Sequence, residues 1–367
     1  MKHLLDYCKW FFEDGENDQL RKQIIDYVDP SKSNKEEISN KVLNKAYQTL
    51  QSLDSDSFKK LKEVIFKGNK NGFDELVKLL EKLGNKINVM KALLEKQKNN
   101  FPTFDDLLKN SGKTLFDVIL KEDFIKIFNN NKESAHEFIK QLLNIKYKDA
   151  NDKGVGRGEL CLFTLFQNTE NATKGDVKIG GKDIEVKMST SNSANGGRVM
   201  ASNLNLKSPK DMAKYAEEKY NLKNISIGGP SVLDKLVNNF ENKKDAFIKL
   251  SDMYLYQFPW YEDYKEKFNK VIEDLYEDNK KLGDQLIRIH GCLALIEYHT
   301  ADKWNYLFVG NTSNSKYYMI DGTKCSLNSF ENNMKELYND NHFVFKDGPS
   351  NSAGANNRNY VSRIYVS

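Results

Sequence analysis

The chain has 367 residues, 39% hydrophobic and 29% charged, enough to bury a sizeable core and divide into two domains. No stretch approaches the ~18 uninterrupted apolar residues of a bilayer crossing, and the opening run MKHLLDYCKWFFEDG is broken by Asp6 and Lys9, so neither a membrane partner nor secretion is expected. A formal charge of +4, from 56 Lys and Arg against 52 Asp and Glu, is too small to name a nucleic-acid partner by itself.

Up to about residue 150 apolar residues recur at spacings of three and four, as in Phe73, Leu76, Val77, Leu79, Leu80 and Leu83. That period predicts an all-helical domain over 1–150, and the sequence leaves open whether it binds DNA, binds a partner protein or mediates assembly. Ser33 with Glu36 forms a capping-box pattern, Ser55 and Asp56 precede another helix, and Gly72 and Gly84 separate others. The lysines from Lys91 to Lys98 read as a solvated helix face. Ser111-Gly-Lys-Thr114 imitates a phosphate loop, but the leading glycine position holds Leu107 and a helical segment precedes it, so a nucleotide-driven motor is excluded.

The pattern changes near Asn151, and a second domain is expected over 151–367. The turn Gly154-Val-Gly-Arg-Gly158 leads into a predicted helix over 158–167, with Glu159 on the stripe of Leu162, Phe163 and Phe166. A hairpin follows around Gly180-Gly181, then a loop over Ser189 to Gly197, a helix from Ser208-Pro209 and a long helix from Ser231 to Lys249. Tyr254 to Tyr261 reads as a packing corner, because its rings lack interleaved Lys or Arg. Strands are expected at Leu286–Ile289, Tyr306–Val309, Tyr317–Ile320, Phe343–Phe345 and Tyr360–Val366, with a surface loop over Asp347 to Asn359. The expected class is therefore α/β, a mixed β-sheet flanked by helices behind an N-terminal all-helical domain.

Metal and cysteine signals are weak. The four cysteines form no CxxC pair, which disfavours a zinc ribbon or disulfide framework and suits a reducing cytoplasm. The five histidines show no HExxH spacing, so a zinc hydrolase lacks its ligands.

The hairpin carries the chemistry. A Gly-Gly turn between Ile179 and Lys182 sets Lys178 opposite Asp183, Val177 opposite Ile184 and Asp176 opposite Glu185. Alternation then adds Lys187 to the face of Glu185 and turns Ile184 and Val186 into the core. Opposed carboxylates repel. Hard oxygen ligands converging from two strands suit Mg²⁺, with Mn²⁺ as a substitute, and packing of the preceding helix would add Glu159. A solvated hairpin face and a helix-dipole glutamate are the bland alternatives. The register imposed by the glycines favours the site.

This set resembles the PD-(D/E)xK nuclease superfamily, whose restriction-endonuclease-like core is an acidic helix followed by a hairpin bearing Asp and then Glu or Asp, any residue, and Lys. The matching residues are Glu159, Asp176 after Gly175 in place of the usual proline, and Glu185-Val186-Lys187, within about residues 154 to 200. The phrases GRGEL, GDVKIGGKDIEVK and GGRVM are also similar to nuclease-like proteins of tailed phages. The resemblance implies Mg²⁺-dependent hydrolysis of DNA phosphodiesters by a restriction-type or phage-encoded endonuclease, with Glu159, Asp176 and Glu185 on the metal and Lys187 at the attacking water. It places the protein in a bacterial or phage-infected cytoplasm or a virion. From Lys174 to Asn224 ten basic residues oppose six acidic ones, and Arg157, Lys178 and Arg198 are the expected phosphate contacts. Double-strand cutting by one site per chain would call for a homodimer or larger assembly. The competing expectation is a non-catalytic DNA-binding or virion-associated structural protein that keeps the fold.

Overall fold

A computed structural model of the chain describes residues 100–145, 147–148, 154–170, 172–190, 197–198, 206–223, 225, 230–346 and 362–367, with Val89 and Ala92. The helices expected around residues 33–84 and the loops at 191–196 and 347–359 lie outside the described residues. The chain forms two compact units, one of Met1–Pro102, Ile119–Gly156 and Leu160–Gln167, the other of Thr103–Val118, Arg157–Glu159 and Asn168–Ser367. Helices α1 (Phe104–Lys109) and α2 (Leu115–Ile119) come first.

In the first unit, α3 (Glu122–Ile127) precedes α4 (Lys132–Asn144), which opens on an Asn131 cap accepting the Ser134 N–H at 2.9 Å. Ala135, Phe138, Ile139 and Leu142 keep the three-and-four spacing and are fully buried on α4. Phe138 meets Phe128 with ring centroids 5.4 Å apart. A short antiparallel pair, β1 (Tyr147–Lys148) and β2 (Gly154–Val155), follows, and then α5 (Glu159–Leu165).

The second unit is an α/β structure. Strands β3 (Thr169–Glu170), β4 (Val177–Ile179), β5 (Lys182–Ser189), β7 (Tyr306–Asn311) and β8 (Tyr317–Asp321) make a mixed sheet in the order β3–β4–β5–β7–β8, with β5–β7 its one parallel pairing. Gly180 and Gly181 take φ of +57° and +78°, which is why two residues suffice to reverse the chain with the strand twist preserved. The register follows: Ile179 pairs with Lys182, Lys178 with Asp183 and Val177 with Ile184; the expected Asp176–Glu185 pair is not part of this ladder, because the Asp176 N–H donates to the Ile184 carbonyl already opposite Val177. A smaller antiparallel sheet joins β6 (Gly197–Arg198), β10 (Arg363–Val366) and β9 (Phe343–Phe345) in the order β6–β10–β9.

Between β5 and β7 runs a helical layer. Helix α6 (Pro209–Tyr220) begins where expected, on a reciprocal Ser208–Asp211 capping box. The long helix expected over 231–249 is instead interrupted: α7 (Pro230–Asp234) passes into a 3₁₀ turn, Lys235–Asn239, and α8 (Lys243–Tyr256) restarts on Asn242, whose side chain accepts the Asp245 N–H at 2.9 Å. A second correction concerns Leu286–Ile289, expected as a strand. It lies inside α10 (Leu282–Asp302), which follows α9 (Tyr261–Ile272). Four apolar residues cannot tell a strand from a buried helix; the apolar run that continues to Tyr298 decides it.

Helix α10 is buried along nearly its whole length. Gly283 permits this, since a Cβ there would stand 2.2 Å from the Pro230 carbonyl oxygen of α7. The aromatic corner is core, with Tyr254 and Phe258 fully buried and Trp260 at 7% exposure. His290 is also core, bonded to Gln257 and Ser362. Arg288 on α10 donates to the carbonyls of Leu337, Tyr338, Asp340 and Phe343, joining the end of α11 (Phe330–Asn339) to β9. Among the described residues no helix is long and apolar enough to cross a membrane.

Candidate carboxylate–lysine site

Asp176 stands immediately before β4. Its N–H donates to the Ile184 carbonyl at 2.9 Å, and its Oδ2 accepts the Val186 N–H at 2.9 Å. The side chain thus takes a place in the ladder that a carbonyl would otherwise hold, and the carboxylate is fixed beside β5. Gly175 makes the approach possible: its φ is +78°, and a Cβ would lie 2.9 Å from the Ile184 carbonyl group. Proline, with φ held near about −65°, cannot adopt that backbone.

Glu185 follows one residue after the core-facing Ile184 and is only 5% exposed. Its Oε1 accepts both the Lys187 ammonium and the Tyr298 hydroxyl. Lys187 projects from the same side of β5, as period-two alternation requires, and its Nζ lies 5.1 Å from the Tyr298 ring centroid. The polar side of the hairpin is therefore covered by α10 rather than solvated. Asp176, Glu185 and Lys187 meet there.

Burial raises the Asp176 carboxyl to about 6; the Glu185 charge adds to the rise, and Lys187 and the Val186 N–H oppose it. Burial alone would lower Lys187, yet the Tyr298 oxygen, Glu185 and Asp176 outweigh it and hold the ammonium well above the usual lysine value. One ammonium thus faces two carboxylates. The donor set, hard carboxylate oxygens from adjacent strands, fits Mg²⁺ or Mn²⁺.

The other expected site residues are placed as follows. Glu159 opens α5 and is partly buried, with Gly158 against Val186 and Met188, the side of β5 opposite Glu185. Asp176 and Glu185 interact directly, and among the described residues no group of three His, Cys, Asp or Glu is arranged to hold a metal. Arg157 lies in the turn before α5, its Nε buried with no hydrogen-bond partner among the described residues. Lys178 stands 3.8 Å from Asp183, its cross-strand neighbour. Arg198 sits on β6 directly opposite Arg363 of β10.

No protein-family model, curated protein or solved structure matches the chain.

Two residues escaped the sequence reading. Tyr298 is 113 positions from Glu185 and looks like any buried aromatic of an apolar helix. Asp302 lies one turn further on α10; burial raises its carboxyl, the Glu185 charge adds to this, and Lys187 and Lys174 oppose it. Their i, i+4 spacing puts both on one helix face. Only the placement of α10 against β5 would have singled them out.

Proposed function

We propose that the chain is a metal-dependent DNA endonuclease of PD-(D/E)xK type. The observation that carries this reading is the meeting of Asp176, Glu185 and Lys187 on the buried polar side of a glycine-turned hairpin. The order of elements supports it as well: a helix opening on Glu159, then the Asp176 strand, then the Glu185-Val186-Lys187 strand, inside a mixed sheet.

Asp176 and Glu185 would hold Mg²⁺, which when bound supplies Lewis-acid stabilisation to the oxygens of a phosphodiester. Asp176 would contribute through its carboxylate, which the Val186 N–H fixes beside β5. Lys187 starts as an ammonium on Glu185; there it can orient the attacking water and offset charge building on the phosphate. Arg157 and Arg198 would contact flanking phosphates.

The test is a plasmid-nicking assay with Mg²⁺, Mn²⁺ and EDTA. The reading expects metal-dependent nicking that EDTA stops and that Lys187→Ala and Glu185→Gln abolish in a folded protein. Metal-independent binding without cutting, across varied DNA substrates, would instead favour a non-catalytic DNA-binding or virion-associated protein.

A further inference from the structure

The pair of contacts that Tyr298 makes has no counterpart in the hairpin motif. Its hydroxyl donates to Oε1 of Glu185, the oxygen that Lys187 also uses, and its ring presents a π-face 5.1 Å from the Lys187 ammonium. Tyr298 is 4% exposed and sits near the C-terminal end of α10, whose apolar side is locked into the core of the unit. Its own position is therefore set by packing rather than by the site, which is what a rigid support for a ligand side chain requires.

We propose that Tyr298 is the positioning residue of the site: it holds Glu185 in its ligand orientation through the hydroxyl and keeps the Lys187 ammonium beside the site through its ring. This rests on the metal-dependent reading above and assigns it a residue outside the hairpin. The physical reason lies in the shared oxygen. If the Lys187 ammonium turned toward a substrate, Glu185 would lose one of its two donors. The Tyr298 hydroxyl remains. Because both donors use Oε1, Oε2 can turn to a cation without breaking the tyrosine contact. The ring meanwhile offers the displaced ammonium a favourable seat within the usual ~6 Å range of a cation–π contact, so Lys187 moves without leaving.

The full-length protein, wild type and variants, is titrated with Mn²⁺ without DNA, the free ion being followed by electron paramagnetic resonance, and cleavage kinetics are measured in parallel. Tyr298→Phe removes the hydroxyl and keeps the ring; it should weaken Mn²⁺ binding about 10-fold, the lower end of what removing such a supporting partner does. It should lower kcat with KM for DNA unchanged, at a melting temperature close to wild type. Tyr298→Gln, which keeps a donor and drops the ring, should retain most of the Mn²⁺ affinity and lose kcat; it also decides the matter if the Phe variant does not fold. Wild-type Mn²⁺ affinity and kcat in both variants would overturn the positioning role while leaving the nuclease reading intact. A wild type that binds Mn²⁺ in a Tyr298-dependent manner but cuts no DNA would overturn the nuclease reading and leave the positioning role standing. A wild type that binds no Mn²⁺ overturns both.

Discussion

The carboxylate of Asp176 accepts the backbone N–H of Val186 at 2.9 Å, so one proposed ligand is anchored by the strand that carries the other. Asparagine at 176 can keep that acceptor while removing the charge. Asp176→Asn should therefore melt higher than wild type at pH 8 in the absence of metal, because it removes a buried charge whose burial and repulsion from Glu185 together outweigh its attraction to Lys187, and should bind no Mn²⁺. Differential scanning calorimetry with and without Mn²⁺ reads both effects; a variant that melts lower without metal would contradict a net cost of the buried charge.

The raised Asp176 carboxyl, at about 6, predicts the pH dependence. A carboxyl whose folded value lies above its unfolded one binds a proton more tightly when folded, so apo stability declines as pH rises through roughly 4 to 6. Metal affinity runs the other way: it should be flat above about pH 7 and fall up to tenfold per unit below about pH 6, as the proton competes for the site. Mn²⁺ titrations at pH 5, 6, 7 and 8 check this. Affinity independent of pH would mean that Asp176 is not a ligand.

Gly175 tests the backbone geometry. A Cβ there meets the Ile184 carbonyl group at 2.9 Å, and the φ of +78° is unfavourable for any side chain. Gly175→Ala should cost at least about 1–2 kcal/mol by the left-handed backbone alone and should weaken Mn²⁺ binding by displacing Asp176. Gly175→Pro, although it restores the usual motif residue, should be worse. Urea denaturation ranks the two.

How much of this was legible in the sequence depended on the range of the interactions involved. The hairpin was, because Gly180 and Gly181 are both at positive φ and a two-residue turn leaves one register for Val177, Lys178 and Ile179. The start of α6 was, because Ser208 and Asp211 cap one another locally. The break before Asn242 was missed because the apolar spacing continues across it, and Leu286–Ile289 was mistaken for a strand because its burial on every side erases the helical period. Tyr298 and Asp302 were invisible for a different reason. Their role comes from the docking of a helix on a strand more than a hundred residues away, which no local pattern encodes.

Arg288 should be a stability residue rather than a DNA contact. Its guanidinium serves carbonyls of Leu337, Tyr338, Asp340 and Phe343 and lies 4.6 Å from the Phe343 ring centroid. Arg288→Ala should destabilise by roughly 2–3 kcal/mol through the loss of charge-assisted hydrogen bonds, and lysine should rescue little because it lacks the planar fork. Chemical denaturation checks the magnitude, and unchanged DNA affinity in the folded fraction checks the assignment.

Arg198 carries the opposite expectation. Arg198→Ala should leave the melting temperature unchanged, weaken DNA binding across all sequences and reduce the slope of log K against log salt by about one. Fluorescence anisotropy over a salt series makes the measurement, and an unchanged slope removes Arg198 from the phosphate contacts.

The most direct measurement of the central claim is anomalous diffraction from crystals soaked in Mn²⁺. The account predicts a peak within coordination distance, about 2.0–2.3 Å, of carboxylate oxygens of both Asp176 and Glu185, with Lys187 turned away from Glu185 and the Tyr298 hydroxyl still on it. Full-strength Mn²⁺ peaks elsewhere, with Lys187 and Glu185 paired as before and no density between the two carboxylates, would contradict it.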